Sequence, residues 1–360
     1  MLSLAEQVPS LPRVAAVGCG YWGKNIARNL ARLGALHSIC EPNLARAAKI
    51  SAEHGVPNRT LEQLLTDPQC DAIALASPAS LHSRQVRRAL DAGKHVFVEK
   101  PLALKLVEGE ELAALADQRA RVLMVGHLLH YHPHIRKLID LVHGGLLGDV
   151  QCIYASRLSP GRLRSEEDVM WSFAPHDISV ILAIVGEMPA RVWAEGKSIL
   201  SENVVDIANI FLDFAGGLSA RVHVSWISPY KEQKITVVGS KATAIFDDRA
   251  NWQDKLLVFD HQIVYRDGHP WSVKAQAERF DIAECEPLRE ECAHFLDSVQ
   301  HGTPPRTDSA EAIRVLAVLD AARRALGRSR PPRPGPGSKK FDQLGAKLRQ
   351  TIQVRNKSLF

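Results

Sequence analysis

The most constraining stretch of this sequence is Gly18-Cys19-Gly20-Tyr21-Trp22-Gly23, which follows the apolar run Val14 to Val17 directly and opens a helical pattern from Lys24 to Leu33. Glycines at this spacing between a strand and a helix meet three geometric needs. The first permits a tight turn, the second lets the backbone approach a pyrophosphate, and the third allows the helix to pack closely on the strand. The helix N-terminus then turns its unpaired N–H groups and positive dipole end toward the phosphate. Glu41 ends the next apolar run, Leu36 to Cys40, where a carboxylate accepts hydrogen bonds from an adenosine ribose. A carboxylate about 4 Å from a 2′-phosphate costs roughly 1 kcal/mol per charge pair even in water, so the expected dinucleotide is NAD rather than NADP.

The pattern around this loop predicts the fold class. Short apolar runs at Ala72 to Ala76, His95 to Val98 and Val122 to Val125 alternate with helical runs at Ser80 to Ala92 and Val107 to Arg119. That texture belongs to an α/β, doubly wound parallel sheet of the Rossmann type, with strands covered on both faces. After Gly148 longer alternating runs take over: Gln151 to Leu158, Arg191 to Ser198, Ile207 to Phe214, Leu218 to Ile227, Lys234 to Val238 and Lys255 to Phe259. They predict an α+β domain with an open-faced, mainly antiparallel sheet, with hairpin turns at Gly216-Gly217 and Asp267-Gly268. Two helices, Leu288 to Gln300 and Ser309 to Ala325, follow. The expected domains are 1–126, 127–327 with C-terminal helices able to pack back on the first domain, and a tail from 328 to 360.

The net charge of +5 misleads unless it is placed. Residues 328–360 carry nine Lys or Arg against Asp342 alone, a balance of +8 that leaves −3 for residues 1–327. The folded body therefore has no polyanion-binding signature, and no nucleic-acid partner is expected. The tail opens with Pro331-Pro332-Arg333-Pro334-Gly335-Pro336-Gly337, which reads as a linker. Six scattered cysteines without a CxxC pair suggest reduced thiols. Residues 1–17 lack the features of an export signal, and no apolar run approaches a membrane span, so the expectation is a cytoplasmic protein without membrane contact.

Several residues fall where open α/β sheets bind ligands, at the carboxyl ends of strands. Ser77-Pro78 with His82 follows one strand; His82 is either a site residue or a surface histidine at a helix start. Glu99-Lys100-Pro101 follows the next and places a lysine beside the expected nicotinamide. Gly126-His127-Leu128-Leu129-His130-Tyr131-His132-Pro133, with His134 beyond, is rich in histidine but has no carboxylate or cysteine at ligand spacing, so no metal is expected and His127 and His130 are candidate pocket walls. Arg157, Arg162 and Arg164, with Lys231 further on, form either an ordinary basic loop or the guanidinium forks a diphosphate-linked substrate requires.

These motifs resemble those of the glucose-fructose oxidoreductase, inositol dehydrogenase and MocA family over residues 13–327. The resemblance implies NAD bound by Gly18, Gly20, Tyr21, Trp22, Gly23, Glu41, Ser77, Pro78, His82, Glu99 and Lys100. It also implies a catalytic lysine, Lys100, that contacts both cofactor and substrate, and an open sheet that often makes the oligomer contact, hence a homo-oligomer (dimer or tetramer). The family's second-domain site is an Asp-x-x-x-His pair. In Trp171-Ser172-Phe173-Ala174-Pro175-His176-Asp177 the histidine is His176, while Ser172 stands where the aspartate belongs. A neutral imidazole can still take a hydroxyl proton as hydride leaves, with Lys100 stabilising the alkoxide. Asp177 either orients a neighbour or, as the preferred expectation, complements the helix N-terminus.

Within the family the strings around His127, His176 and Lys231 resemble members acting on nucleotide sugars. They imply oxidation of the C3 hydroxyl of UDP-N-acetylglucosamine to a 3-keto sugar for a PLP-dependent aminotransferase that serves lipopolysaccharide synthesis. Alternatives are a UDP-N-acetylglucosaminuronate 3-dehydrogenase, a free-sugar or cyclitol dehydrogenase, and an NAD-sensing binding module, the last disfavoured by the presence of both Lys100 and His176.

Overall fold

The computed structural model describes residues 11–160, 163, 167–260, 262–273 and 275–326. The described residues divide into two compact units, one made of residues 11–136 with Ile282–Ala317, the other of those within Lys137–Asp281 with 318–326. The first unit starts β1 (Val14–Val17), α1 (Gly23–Arg32), β2 (Leu36–Cys40), α2 (Leu44–His54), α3 (Leu61–Thr66), β3 (Ala72–Leu75), α4 (Ala79–Asp91), β4 (His95–Glu99), α5 (Leu106–Gln118) and β5 (Leu123–Gly126). A 3-10 turn, Leu128–Tyr131, leads into α6 (Pro133–His143). Then come β6 (Val150–Pro160), α7 (Val169–Val185), β7 (Arg191–Lys197), β8 (Ile207–Asp213), β9 (Ser219–Ser225), β10 (Ile227–Gly239), β11 (Ala242–Asp247), β12 (Leu256–Asp260), β13 (Gln262–Arg266), β14 (His269–Val273) and β15 (Ala277–Arg279). The last described helices are α8 (Pro287–His301) and α9 (Ser309–Ala325).

In the first unit five strands form a parallel sheet of order β2-β1-β3-β4-β5. All residues of β1, β3 and β5 are buried, which is why these strands read as continuous apolar runs. The connections leave β1 toward β2 and β3 toward β4, so the strand order reverses between β1 and β3 and a ligand crevice opens at their carboxyl ends. The far-downstream helix α8 completes this core: Leu288, Cys292, Phe295 and Leu296 are buried with Ile26, Leu30, Phe97, Met124 and Tyr131. Phe295 packs on Phe97 with ring centroids 5.8 Å apart, and truncation of so buried a ring typically costs about 3–5 kcal/mol. Residues through Arg136 and the segment Ile282–Ala317 group with the first unit.

The second unit is built on an eight-stranded sheet of order β15-β12-β11-β10-β6-β9-β8-β7. All neighbours are antiparallel except β6 and β9. Strict alternation in β8 and β11 buries every second residue, and the apolar helix α7 packs on β6, β8 and β9 to cover one face. Asp267 and Gly268, both with positive φ, turn β13 into β14. β11 and α6 were absent from the sequence expectation: β11 is a short alternating run directly after β10, and α6 begins inside the histidine-rich stretch. Residues 327–360, with the basic tail, lie outside the described residues. Among the described residues, no helix is long and apolar enough to cross a membrane, and no group of three or more His, Cys, Asp or Glu could hold a metal ion.

Candidate active site

In the first unit the glycine loop follows β1 at the point where the strand order reverses. Gly18 has φ +81°, and a Cβ there would stand 2.9 Å from Ala76 O and Ser77 N, so the turn lies hard against the end of β3. A Cβ on Gly23 would fall 1.8 Å from Gly18 O, which makes this the glycine that seats α1. Gly20 has nothing within 4 Å of its would-be Cβ. Open space over that backbone is what a pyrophosphate needs, and the first turn of α1 carries no acid to oppose it. These residues fit a dinucleotide.

Glu41 directly follows β2, with its carboxylate almost fully enclosed. One oxygen accepts from Cys19 N at 3.0 Å; the other accepts from Asn43 N at 2.9 Å and from Arg46 Nη1 at 3.2 Å. The carboxylate is thus held rigidly beside the loop, and Arg46, whose side chain is about half exposed, offsets part of its charge. Arg46 went unnoticed in the sequence because an arginine in the first turn of a helix has no distinguishing local signal.

At the end of β4, Glu99 accepts a hydrogen bond from the Trp22 indole N–H. Burial lifts the Glu99 carboxyl above its ordinary pKa, opposed by the Lys100 ammonium, the Trp22 donor, the Lys100 backbone N–H and His127. Lys100 follows, partly buried, joined to Pro101 by a cis peptide bond. Glu291 on α8 is fully buried within electrostatic reach of Glu99. Its desolvation and the Glu99 charge push its carboxyl well above the ordinary range. No sequence pattern marked Glu291, since an acid in a polar helix reads as solvated.

Three of the candidate histidines are buried, with partners inside the first unit. His82 is 1% exposed, with Nδ1 2.7 Å from Pro101 O and Nε2 2.9 Å from Ser77 O. It ties the two strand ends together from the interior, so its effect on the cofactor passes through Ser77 and Pro101. His127 is buried and its Nδ1 bonds the Glu311 carboxylate, whose other oxygen lies 3.8 Å from Nε2 of the equally buried His130. Neither is an open pocket wall within this unit. Glu311, on α9, was missed because nothing local links it to a histidine 184 residues earlier.

In the second unit Asp168 caps α7, accepting from Met170 N at 2.9 Å and Trp171 N at 3.1 Å; burial raises its pKa against those donors. Ser172 and His176 follow at intervals of four, one turn apart on the same helix face. His176 is partly buried. Asp177 has the role that was not preferred: fully buried, it receives Arg157 Nε at 2.8 Å and Nη2 at 2.9 Å. With its amide oriented by the network, Gln233 accepts from Arg157 Nη1 at 3.1 Å. The Arg157 fork is therefore spent inside the protein, which corrects its assignment as a phosphate ligand. Arg162 and Arg164 lie outside the described residues, and Lys231 is exposed on β10.

Comparison with known proteins agrees with this geometry. Residues 12–127 match the NAD-binding Rossmann-fold domain of the GFO/IDH/MocA oxidoreductase family, and residues 135–245 match a C-terminal domain of the same family. The chain is 27% identical over 325 residues to UDP-N-acetylglucosamine 3-dehydrogenase of Acidithiobacillus ferrooxidans, covering 87% of this chain and 97% of that protein. It is 25% identical to myo-inositol 2-dehydrogenase of Thermotoga maritima, over 88% of this chain and 97% of the other. A solved structure of the Acidithiobacillus enzyme superposes with a TM-score of 0.76 at 26% identity, over 87% of this chain and 97% of that one.

Proposed function

This chain belongs to the GFO/IDH/MocA family of NAD-binding oxidoreductases, and from that premise we propose that it oxidises the C3 hydroxyl of UDP-N-acetylglucosamine to the 3-keto sugar. The observation that carries the choice of substrate is likeness to a UDP-N-acetylglucosamine 3-dehydrogenase over 97% of that protein's length. Bound over Gly20 and beside Glu41, NAD supplies the hydride acceptor. In this reading Lys100 steadies the developing alkoxide and His176, as neutral imidazole, accepts the hydroxyl proton. Arg162, Arg164 and Lys231 meet the diphosphate. A PLP-dependent aminotransferase removes the ketone for diamino-sugar and lipopolysaccharide synthesis, in the cytoplasm, and the open sheet face joins copies of the chain into a dimer or tetramer. Cyclitol oxidation is the second reading, favoured by the near full-length similarity to an inositol dehydrogenase.

The deciding assay incubates the protein with NAD and UDP-N-acetylglucosamine, its uronate or myo-inositol, follows NADH absorbance and identifies products by mass spectrometry. Turnover of UDP-N-acetylglucosamine is expected, increasing when glutamate and an aminotransferase draw off the ketone. Lys100→Met and His176→Asn should each lose on the order of 10² in kcat with NAD affinity nearly intact. Turnover of inositol or the uronate alone, even in the coupled assay, overturns the substrate assignment.

A further inference from the structure

The geometry points to Glu99 as a strap between the pyrophosphate loop and Lys100, with Trp22 and Gly126 as the positioning residues that hold it. Trp22 is the N-cap residue of α1 yet makes no capping bond with its side chain, although this position usually carries Ser, Thr, Asn or Asp for that purpose. Its indole instead reaches Glu99 at the end of β4 and donates to Oε1. On the other side, Gly126 lies opposite Glu99 in the β4–β5 register. A Cβ there would come within 3.2 Å of Glu99 Cδ and Oε2 and 3.3 Å of Oε1, tighter than ordinary contact. Gly126 is not among the residues with positive φ, so what the glycine provides here is space beside Glu99 rather than a special backbone conformation. The Glu99 carboxylate is thus pinned between an indole donor and a bare Cα.

One end of this strap is the loop that must receive the phosphates; the other is the residue bonded to Lys100. Displacing the loop moves Trp22, and through Glu99 the displacement reaches the backbone that aims the lysine. Occupation of the phosphate site and placement of Lys100 are therefore linked. The Lys100 half rests on the role proposed above for that residue, whereas the NAD-binding half stands without any substrate.

The test is a pair of double-mutant cycles on the full chain, read first by calorimetric titration with NAD alone. Trp22→Phe keeps an aromatic ring and deletes the donor, and Gly126→Ala pushes on the carboxylate from the opposite side. Each should weaken NAD binding about fivefold, roughly the net worth of one ordinary hydrogen bond. In a Glu99→Ala background neither should weaken it further, because the strap is already cut. With the alcohol found to be turned over, both variants should also lower kcat about tenfold at saturating NAD, again only when Glu99 is present. Thermal melts separate these effects from lost folding, and the two approaches to Glu99 guard against one variant failing to fold. Effects that multiply in the double variants, or NAD affinity unchanged by Trp22→Phe and Gly126→Ala, would overturn the strap; absent turnover of all three alcohols would count against the substrate assignment alone.

Discussion

Glu291→Gln should make the protein more stable at neutral pH, and the gain should grow with pH. Glu291 is fully buried on α8, and neither carboxyl oxygen has a hydrogen-bond partner among the described residues. Burial, then the Glu99 charge, raises its pKa well above 4.5, so the folded state keeps a proton that the unfolded chain has already lost. With more protons bound when folded, stability is greatest below the ordinary carboxyl range and falls as pH rises toward the folded pKa, by about 1.4 kcal/mol per pH unit. Two units within that window amount to about 3 kcal/mol. Glutamine has the size and neutrality of the protonated acid and does not titrate, so its profile omits this decline. The two proteins should unfold at similar temperatures below about pH 4 and diverge above it, by roughly 2–4 °C per kcal/mol for a domain of this size. All other titrating groups are common to both, so parallel midpoint-versus-pH curves would refute the protonated, unpartnered state of Glu291.

Two further outcomes follow from charges with known partners. NAD should bind at least about tenfold tighter than NADP, a gap near 1.4 kcal/mol; Glu41→Ser should narrow it, and Arg46→Ala, by removing the exposed cation that offsets Glu41, should widen it a fewfold in calorimetric titration. Narrowing by Arg46→Ala would contradict the offset. Arg157→Ala should cost about 3–5 kcal/mol in urea unfolding because it strands the buried Asp177 carboxylate, and a paired Arg157→Met, Asp177→Leu replacement should recover most of that loss. Unchanged stability with weakened substrate binding would return Arg157 to the phosphate-ligand role.

What was legible in the sequence is what depends on neighbours along the chain. The glycine loop, β1, β2 and Glu41 form one local unit, and period and spacing suffice to read them. Alternation marked β8 and β9 because each has one covered face. The misread residues are those whose partners are distant. Arg157 looks like a surface cation until Asp177 closes on it from α7, and His127 looks like a wall until Glu311 reaches it from α9. Glu291 gives no sign at all, because the burial that perturbs it comes from β4 and from packing around α8. Trp22 was placed on the correct loop, but its partner Glu99 lies 77 residues on and no spacing rule connects them.

The interrupted first unit also constrains how the protein is made. Its parallel sheet is synthesised early, yet the helix that covers Ile26, Leu30, Phe97 and Met124 leaves the ribosome only after the entire eight-stranded sheet has been translated. Through that interval the apolar face that α8 covers in the finished fold lacks this cover. A gene fragment ending at the last parallel strand would carry the same face permanently, so the cofactor-binding half is better isolated by joining residues near 136 to those near 282 through a short linker than by simple truncation.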